Sequence, residues 1–160
     1  MLGKLVNSRD DVQVGIMFNT EGNGMGISLF NDQATAIALG DIVLVGYDPD
    51  GTAGLTQGMQ ALAPATNTFN VYTAVAMEAV AVDAVGFFQL SGVCDAFIEG
   101  TTDVAAGDFL EVLNGENEYK KDGAARTTVS SAIALAAQAT NSNVLTSVYK
   151  IGEPHTIAAA

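Results

Sequence analysis

Residues 105–121 read AAGDFLEVLNGENEYKK. Phe109–Leu113 and Glu118–Lys121 have the length and apolar content of short strands. Asn114-Gly115-Glu116-Asn117 separates them, and Asn-Gly suits the positive-φ positions of a hairpin turn. The stretch therefore predicts an antiparallel hairpin, introduced by a Gly107-Asp108 turn. The same frame occurs earlier, where Ala38-Leu39-Gly40-Asp41-Ile42-Val43-Leu44-Val45 aligns with Ala105-Ala106-Gly107-Asp108-Phe109-Leu110-Glu111-Val112. A-x-G-D followed by an apolar strand is a recurring hairpin unit, too short to define a solenoid.

Working outward, the body is written in strand period. Ile42–Val45 is β-branched and runs into Asp48-Pro49-Asp50-Gly51, a stop built from turn residues. Asn70–Val75 alternates, Met77–Val82 alternates again, and Phe87–Ile98 reads as one long strand bent at Gly92. Val144–Ile151 closes the set. Ser130–Thr140 is rich in alanine and would be helical on propensity, but its place between strand signals favours a strand with alanines against a close neighbour. Residues 1–30 read differently, with a short strand at Val12–Phe18 and a loop opened by Gly22, Gly24 and Gly26. The expected fold is mainly β: a compact antiparallel β-barrel or β-sandwich (residues 31–160, with a short C-terminal tail) carrying an extended N-terminal arm (residues 1–30).

Charge narrows the function. The 160 residues carry 18 acids against 6 bases, a net charge of −12. Only 15% of residues are charged while 49% are hydrophobic, so the chain is not a disordered acidic tail. All the acids except Asp122 and Glu153 lie between Asp10 and Glu118, a span with no Lys or Arg. That distribution argues against direct nucleic-acid binding, which needs clustered cations. No run is long enough for a membrane helix, and the N-terminus lacks the apolar segment of a signal peptide. The chain is expected to be soluble and made without export, with no membrane partner.

Candidate chemistry was weighed against plainer roles. One cysteine, Cys94, excludes an internal disulfide and a cysteine zinc site. It sits in an apolar strand, where a thiol is a small core residue, and the single histidine, His155, lies in the tail. Gly22-x-Gly24-x-Gly26 lacks the spacing of a dinucleotide loop. Asp48-x-Asp50-Gly51 opens like a calcium loop, but Ala53 and Met59 stand where glycine and glutamate are required. Asp95 with Glu99, and Asp108 with Glu111, could be paired carboxylates, yet acids are frequent there and no tryptophan is available to stack a sugar. No catalytic, cofactor or metal residues are expected, and the chain reads as a non-enzyme. Lys120, Lys121 and Arg126 form a small basic patch suited to an acidic partner or a second copy.

Val75–Gly92 (VAMEAVAVDAVGFFQLSG), the G-D-x-L strand at Gly107–Leu110, and the closing Val129–Lys150 resemble a pattern in tailed-bacteriophage structural proteins, over roughly residues 70–151. The resemblance is to capsid decoration, or cement, proteins. It implies a virion protein, made in the host cytoplasm, that sits on the outer surface of the phage head. There it would contact the major capsid protein, stabilise the capsid and self-associate, as a homotrimer. Within that reading Lys4, Arg9, Met25, Lys120, Lys121 and Arg126 are the candidate capsid or inter-subunit contacts. The alternatives are another virion subunit, such as a tail tube or head–tail connector, and a carbohydrate-binding β-sandwich.

Overall fold

The computed structural model describes residues 15–21, 24–48, 58–64, 72–113, 115–122, 130–139 and 144–155. Among them there is no helix. Six strands form the first sheet: β1 (Met17–Asn19), β2 (Met25–Asn31), β3 (Ile42–Asp48), β4 (Gly58–Leu62), β5 (Thr73–Ala76) and β6 (Val85–Gln89). Their order is β1-β2-β4-β3-β5-β6, and a further β2–β6 pairing closes β2 to β6 into a five-stranded barrel. Five strands form the second sheet: β7 (Gly92–Phe97), β8 (Phe109–Val112), β9 (Tyr119–Lys121), β10 (Ser130–Ala134) and β11 (Leu145–His155), in the order β7-β11-β10-β8-β9. The mainly β reading of the sequence is what the structure has.

The second sheet repeats the first strand for strand. Read backwards, β9-β8-β10-β11-β7 is the order β4-β3-β5-β6-β2. The parallel pairing that closes β2 on β4, Phe30↔Gln60 and Asn31↔Ala61, has its counterpart in a parallel bridge between Ile98 and Tyr119. Ile37 bridges Val80 and, in the second unit, Val104 bridges Gln138. The A-x-G-D turn is the same in both. Gly40 and Gly107 take φ of 86° and 93°. The Asp41 carboxylate accepts the Ala38 N–H at 2.7 Å, and the Asp108 carboxylate accepts the Ala105 N–H at 2.8 Å. The Gly40 N–H reaches the Ala76 carbonyl at 2.9 Å, and the Gly107 N–H reaches Ala134 at 2.8 Å. The short shared frame thus marks a duplication of the whole unit, which also aligns Ala74-x-Ala76-Met77-x-Ala79-x-Ala81 with Ala132-x-Ala134-Leu135-x-Ala137-x-Ala139.

Period-two alternation fills each unit. Ile27, Leu29, Val43, Ala61, Ala74, Ala76 and Phe88 form the buried interior of the first. Ala96, Ile98, Leu110, Tyr119, Ala132, Ala134 and Val148 form that of the second. A fully buried side chain such as Leu29 or Phe88 contributes about 1.5–3 kcal/mol. The alanines let the backbones of a narrow barrel approach closely, which larger residues would prevent.

The units share a seam. Ile42 and Val75 point outward from the first barrel, yet both are buried in the interior cluster of the second unit. They fill the gap between β7 and β9, strands joined otherwise by the Ile98–Tyr119 bridge. The Phe97 N–H donates to the Gly40 carbonyl at 3.0 Å, and the Ile42 N–H donates to the Asn117 carbonyl at 2.9 Å, so backbone 40–42 is held on both sides. Gln89 closes the corner, its amide donating to the Ser91 and Val93 carbonyls at 2.8 and 3.0 Å.

Five local expectations change. Met25–Asn31, assigned in part to the arm, is β2, with Ile27 and Leu29 in the core. Its glycines are there for close approach: a Cβ on Gly26 would strike the Phe18 ring, and one on Gly24 the Ser91 carbonyl. The arm's short strand is Met17–Asn19 rather than Val12–Phe18, of which residues 1–14 lie outside the described region. Met77–Val82 is not a strand, because its backbone bonds go to two different partners, Met77 to Phe87 and Val80 to Ile37, before a turn at Asp83 with φ 59°. Phe87–Ile98 is two strands in two units, reversed at Gly92 with φ 97°, and the Ser130–Thr140 strand ends at Ala134. The hairpin at Gly115, with φ 82°, is as expected. The Asp48–Gly51 turn lies beyond the described residues after Asp48.

The two turn glycines make a controlled comparison. A Cβ on Gly107 would meet nothing within 4 Å, whereas one on Gly40 would overlap the Leu145 side chain. Gly107→Ala should cost only the left-handed backbone term, about 1 kcal/mol. Gly40→Ala should cost about 3 kcal/mol, because the seam must also open. Urea denaturation of the two variants checks the difference.

Candidate functional site

β2 and β4 begin at the mouth of the first barrel, where β3 and β6 end. A cavity of about 340 Å³ opens there, walled by Ile27, Val45, Met59 and Leu90, with Tyr72 and Lys150 beside them. Lys150 arrives from the second unit, on the far part of β11. Thr146, Val148 and Lys150 alternate inward on that strand, and all three are buried. The Lys150 ammonium donates to the Ile151 carbonyl at 2.9 Å, and no carboxylate pairs with it among the described residues. Burial holds its pKa down to about 8, against a smaller opposing effect from Cys94. An apolar wall with one cation at its edge matches an apolar group that ends in a carboxylate.

Cys94 is the core thiol expected from the sequence. Burial pushes its pKa up to about 12, which keeps it protonated and unreactive. The Tyr119 hydroxyl is also fully buried, beside Ser131 and Thr73, and burial pushes its pKa above the ordinary range. Among the described residues no group of three or more His, Cys, Asp and Glu is placed to hold a metal ion.

The candidate contact residues are scattered. Lys120 pairs with Glu111 at 3.0 Å and Lys121 with Asp108 at 2.6 Å, so both lysines of the expected basic patch are engaged within their own unit. The same pairs answer the paired-carboxylate reading, since Asp108 and Glu111 each face a lysine and not each other. Met25 is exposed at the start of β2, and its N–H bonds the Ser91 hydroxyl at 3.1 Å. Lys4, Arg9 and Arg126 lie outside the described residues.

Two features were missed by sequence reasoning. One is Lys150, whose inward position was signalled by the alternation Thr146-x-Val148-x-Lys150. The other is an apolar row across the outer face of the second unit. Val93 pairs with Tyr149, Tyr149 with Ile133, and Ile133 with Phe109. Val93 and Tyr149 are 44% and 46% exposed, and Ile133 and Phe109 are half-buried. Each residue belongs to a different strand, so no local pattern joins them.

The duplicated Asp shows how differently the two units are covered. Burial at the seam raises the pKa of Asp41, against the lowering effects of its Ala38 and Asn117 hydrogen bonds. Its counterpart Asp108 is half-exposed, and its hydrogen bond to Lys121 lowers its pKa. Comparison of the chain with protein-family models and with curated proteins finds no match.

Lys150 gives a pH test. Below about 8 the folded chain buries a charged ammonium, at a cost to stability. Between about 8 and 10.5 the unfolded chain holds a proton that the folded chain has released, so stability rises with pH. Lys150→Met should therefore stabilise the protein at pH 7, by about 1–3 kcal/mol. That gain should shrink as pH climbs from about 8 toward 10.5. Cys94 acts oppositely above its ordinary value of 9.0, so the measurement is the difference between variant and wild-type denaturation curves across pH.

Proposed function

We propose that this chain is a structural virion protein that decorates the outer surface of a bacteriophage head, binding the major capsid protein and stabilising contacts between its subunits. The observation that carries the reading is the uncharged apolar row Val93–Tyr149–Ile133–Phe109 on an otherwise acidic β-protein. A net charge of −12 keeps such a protein soluble and repels it from packaged nucleic acid, while an apolar face supplies a place where copies can join one another on the shell. The likeness of Val75–Gly92 and Gly107–Leu110 to phage decoration proteins supports the same reading. Two barrels sharing a seam make a stiff unit suited to bridging neighbouring subunits. Many copies on one shell would strengthen individually weak contacts through effective concentration. Self-association as a homotrimer belongs to this proposal.

The test is co-sedimentation of the purified full chain with heads that lack it, followed by electron microscopy. Saturable binding to the outer surface and a raised temperature of head disruption are the expected results. Absence of binding, or polymerisation of the purified chain into tubes, would overturn the proposal and favour a tail-tube subunit.

A further inference from the structure

The duplication supplies its own template for an interface. In the first unit the cross-strand row Ile42–Val75–Gln89–Gly26 lies on the outer face. The second unit covers Ile42, Val75 and Gln89, which are at most 2% exposed, while Gly26 lies under the Phe18 ring of β1. By register, the counterpart row in the second unit is Phe109–Ile133–Tyr149–Val93. There no unit covers the row among the described residues, and Val93 and Tyr149 stand open.

The other end of the tandem is finished differently. In the second unit, backbone 40–42 of the preceding unit fills the seam between β7 and β9. In the first unit the chain's own segment 15–19 lies along the equivalent stretch of β2. Gly15 N–H donates to the Ser28 carbonyl at 2.7 Å, Ser28 N–H returns to Ile16 at 3.0 Å, and Gly15 sits against Met59 of β4. This cap is thin. Ile16, Met17 and the neighbouring Met25 are 40%, 52% and 43% exposed. The two ends of the described tandem are therefore two part-exposed apolar surfaces, the row on the second unit and the β1 side of the first.

We propose that these two ends meet: the β1 side of one copy of this chain docks on the Val93–Tyr149–Ile133 face of a second copy, continuing between chains the contact that joins the two units within one. The occupant is a second copy because, within the chain, what covers this face is another unit of the same kind. Neither surface carries a charge in its apolar set, so the contact avoids the repulsion expected between two strongly acidic chains. Such an interface is heterologous, joining different patches, and generates a ring if the rotation between copies closes. The proposal does not depend on what the assembly binds.

The experiment is light scattering after size exclusion, on the full chain. The wild type should self-associate, and more strongly at higher salt as the acidic charge is screened. Tyr149→Asp and Met17→Asp should each abolish assemblies larger than the monomer while leaving the thermal midpoint close to that of the wild type. Mixing these two variants should restore one-to-one dimers, because one variant keeps an intact β1 side and the other an intact Tyr149 face. Val93→Asp, at the end of the row, repeats the first arm should Tyr149→Asp fail to fold. A wild type that stays monomeric at every concentration and salt overturns the proposal. So does a mixture that remains monomeric while the wild type assembles, which would indicate a symmetric contact or another surface. A wild type that binds heads but does not self-associate refutes the interface alone, and one that self-associates but does not bind heads refutes the capsid reading alone.

Discussion

The structure depends on the burial of Ile42 and Val75 across the seam. Both side chains face out of the barrel that contains them, and both complete the interior of the next unit. A short barrel with a weakly closed edge cannot exclude water by itself, because among the described residues the β7–β9 gap is bridged only at Ile98–Tyr119. Two apolar side chains inserted there close the gap. The backbone bonds from Phe97 to Gly40 and from Ile42 to Asn117 hold them at the right depth. The second unit is therefore built on the first.

Equivalent positions in the two units hold similar backbones with different chemistry. Buried Asn31 ties the first unit together, donating to the Thr35 and Ala81 carbonyls at 3.0 and 3.1 Å and accepting the Gln33 N–H at 3.0 Å. The second unit has Ile98 at that place. Its latch comes from the opposite partner of the bridge, where Gln138 donates to the Ile98 carbonyl at 2.8 Å and accepts the Thr146 hydroxyl at 2.7 Å. A buried backbone carbonyl must be satisfied from some direction, and each unit does so with a different side chain. This is why the repeat is clear in the topology and faint in the sequence.

Much of the fold was legible from local chemistry. The Asn114-Gly115 hairpin, the Gly-Asp turns, and the strands at Ile42 and Val144 onward follow from turn preferences and period two. The errors arose where alternation had another cause. Met77–Val82 alternates, but its backbone bonds pass from Phe87 of β6 to Ile37, an isolated bridge outside the strands. Gly22, Gly24 and Gly26 suggested an open loop, whereas Gly24 and Gly26 are small because Ser91 and Phe18 press against them. Of the candidate surface, the cations were readable as residues, but their internal pairing with Glu111 and Asp108 required β8 to lie beside β9. The Val93–Tyr149–Ile133–Phe109 row draws on four strands and became visible only once the register was known.

By itself the sequence determined the strands that start at Ile42, Phe109 and near Val144, the Gly-Asp turns that launch the first two, the acidic charge and the apolar setting of Cys94, because each follows from nearest neighbours or composition. It also placed Ile42 and Phe109 in the same frame, one residue after an Asp that binds back on its own turn. Only the tertiary structure decided that Ile42 is sealed inside a neighbour's core while Phe109 belongs to a face that is still half-open. The reason is that burial is a property of what packs against a residue. Among the described residues, the second unit packs on Ile42 and no such unit packs on Phe109.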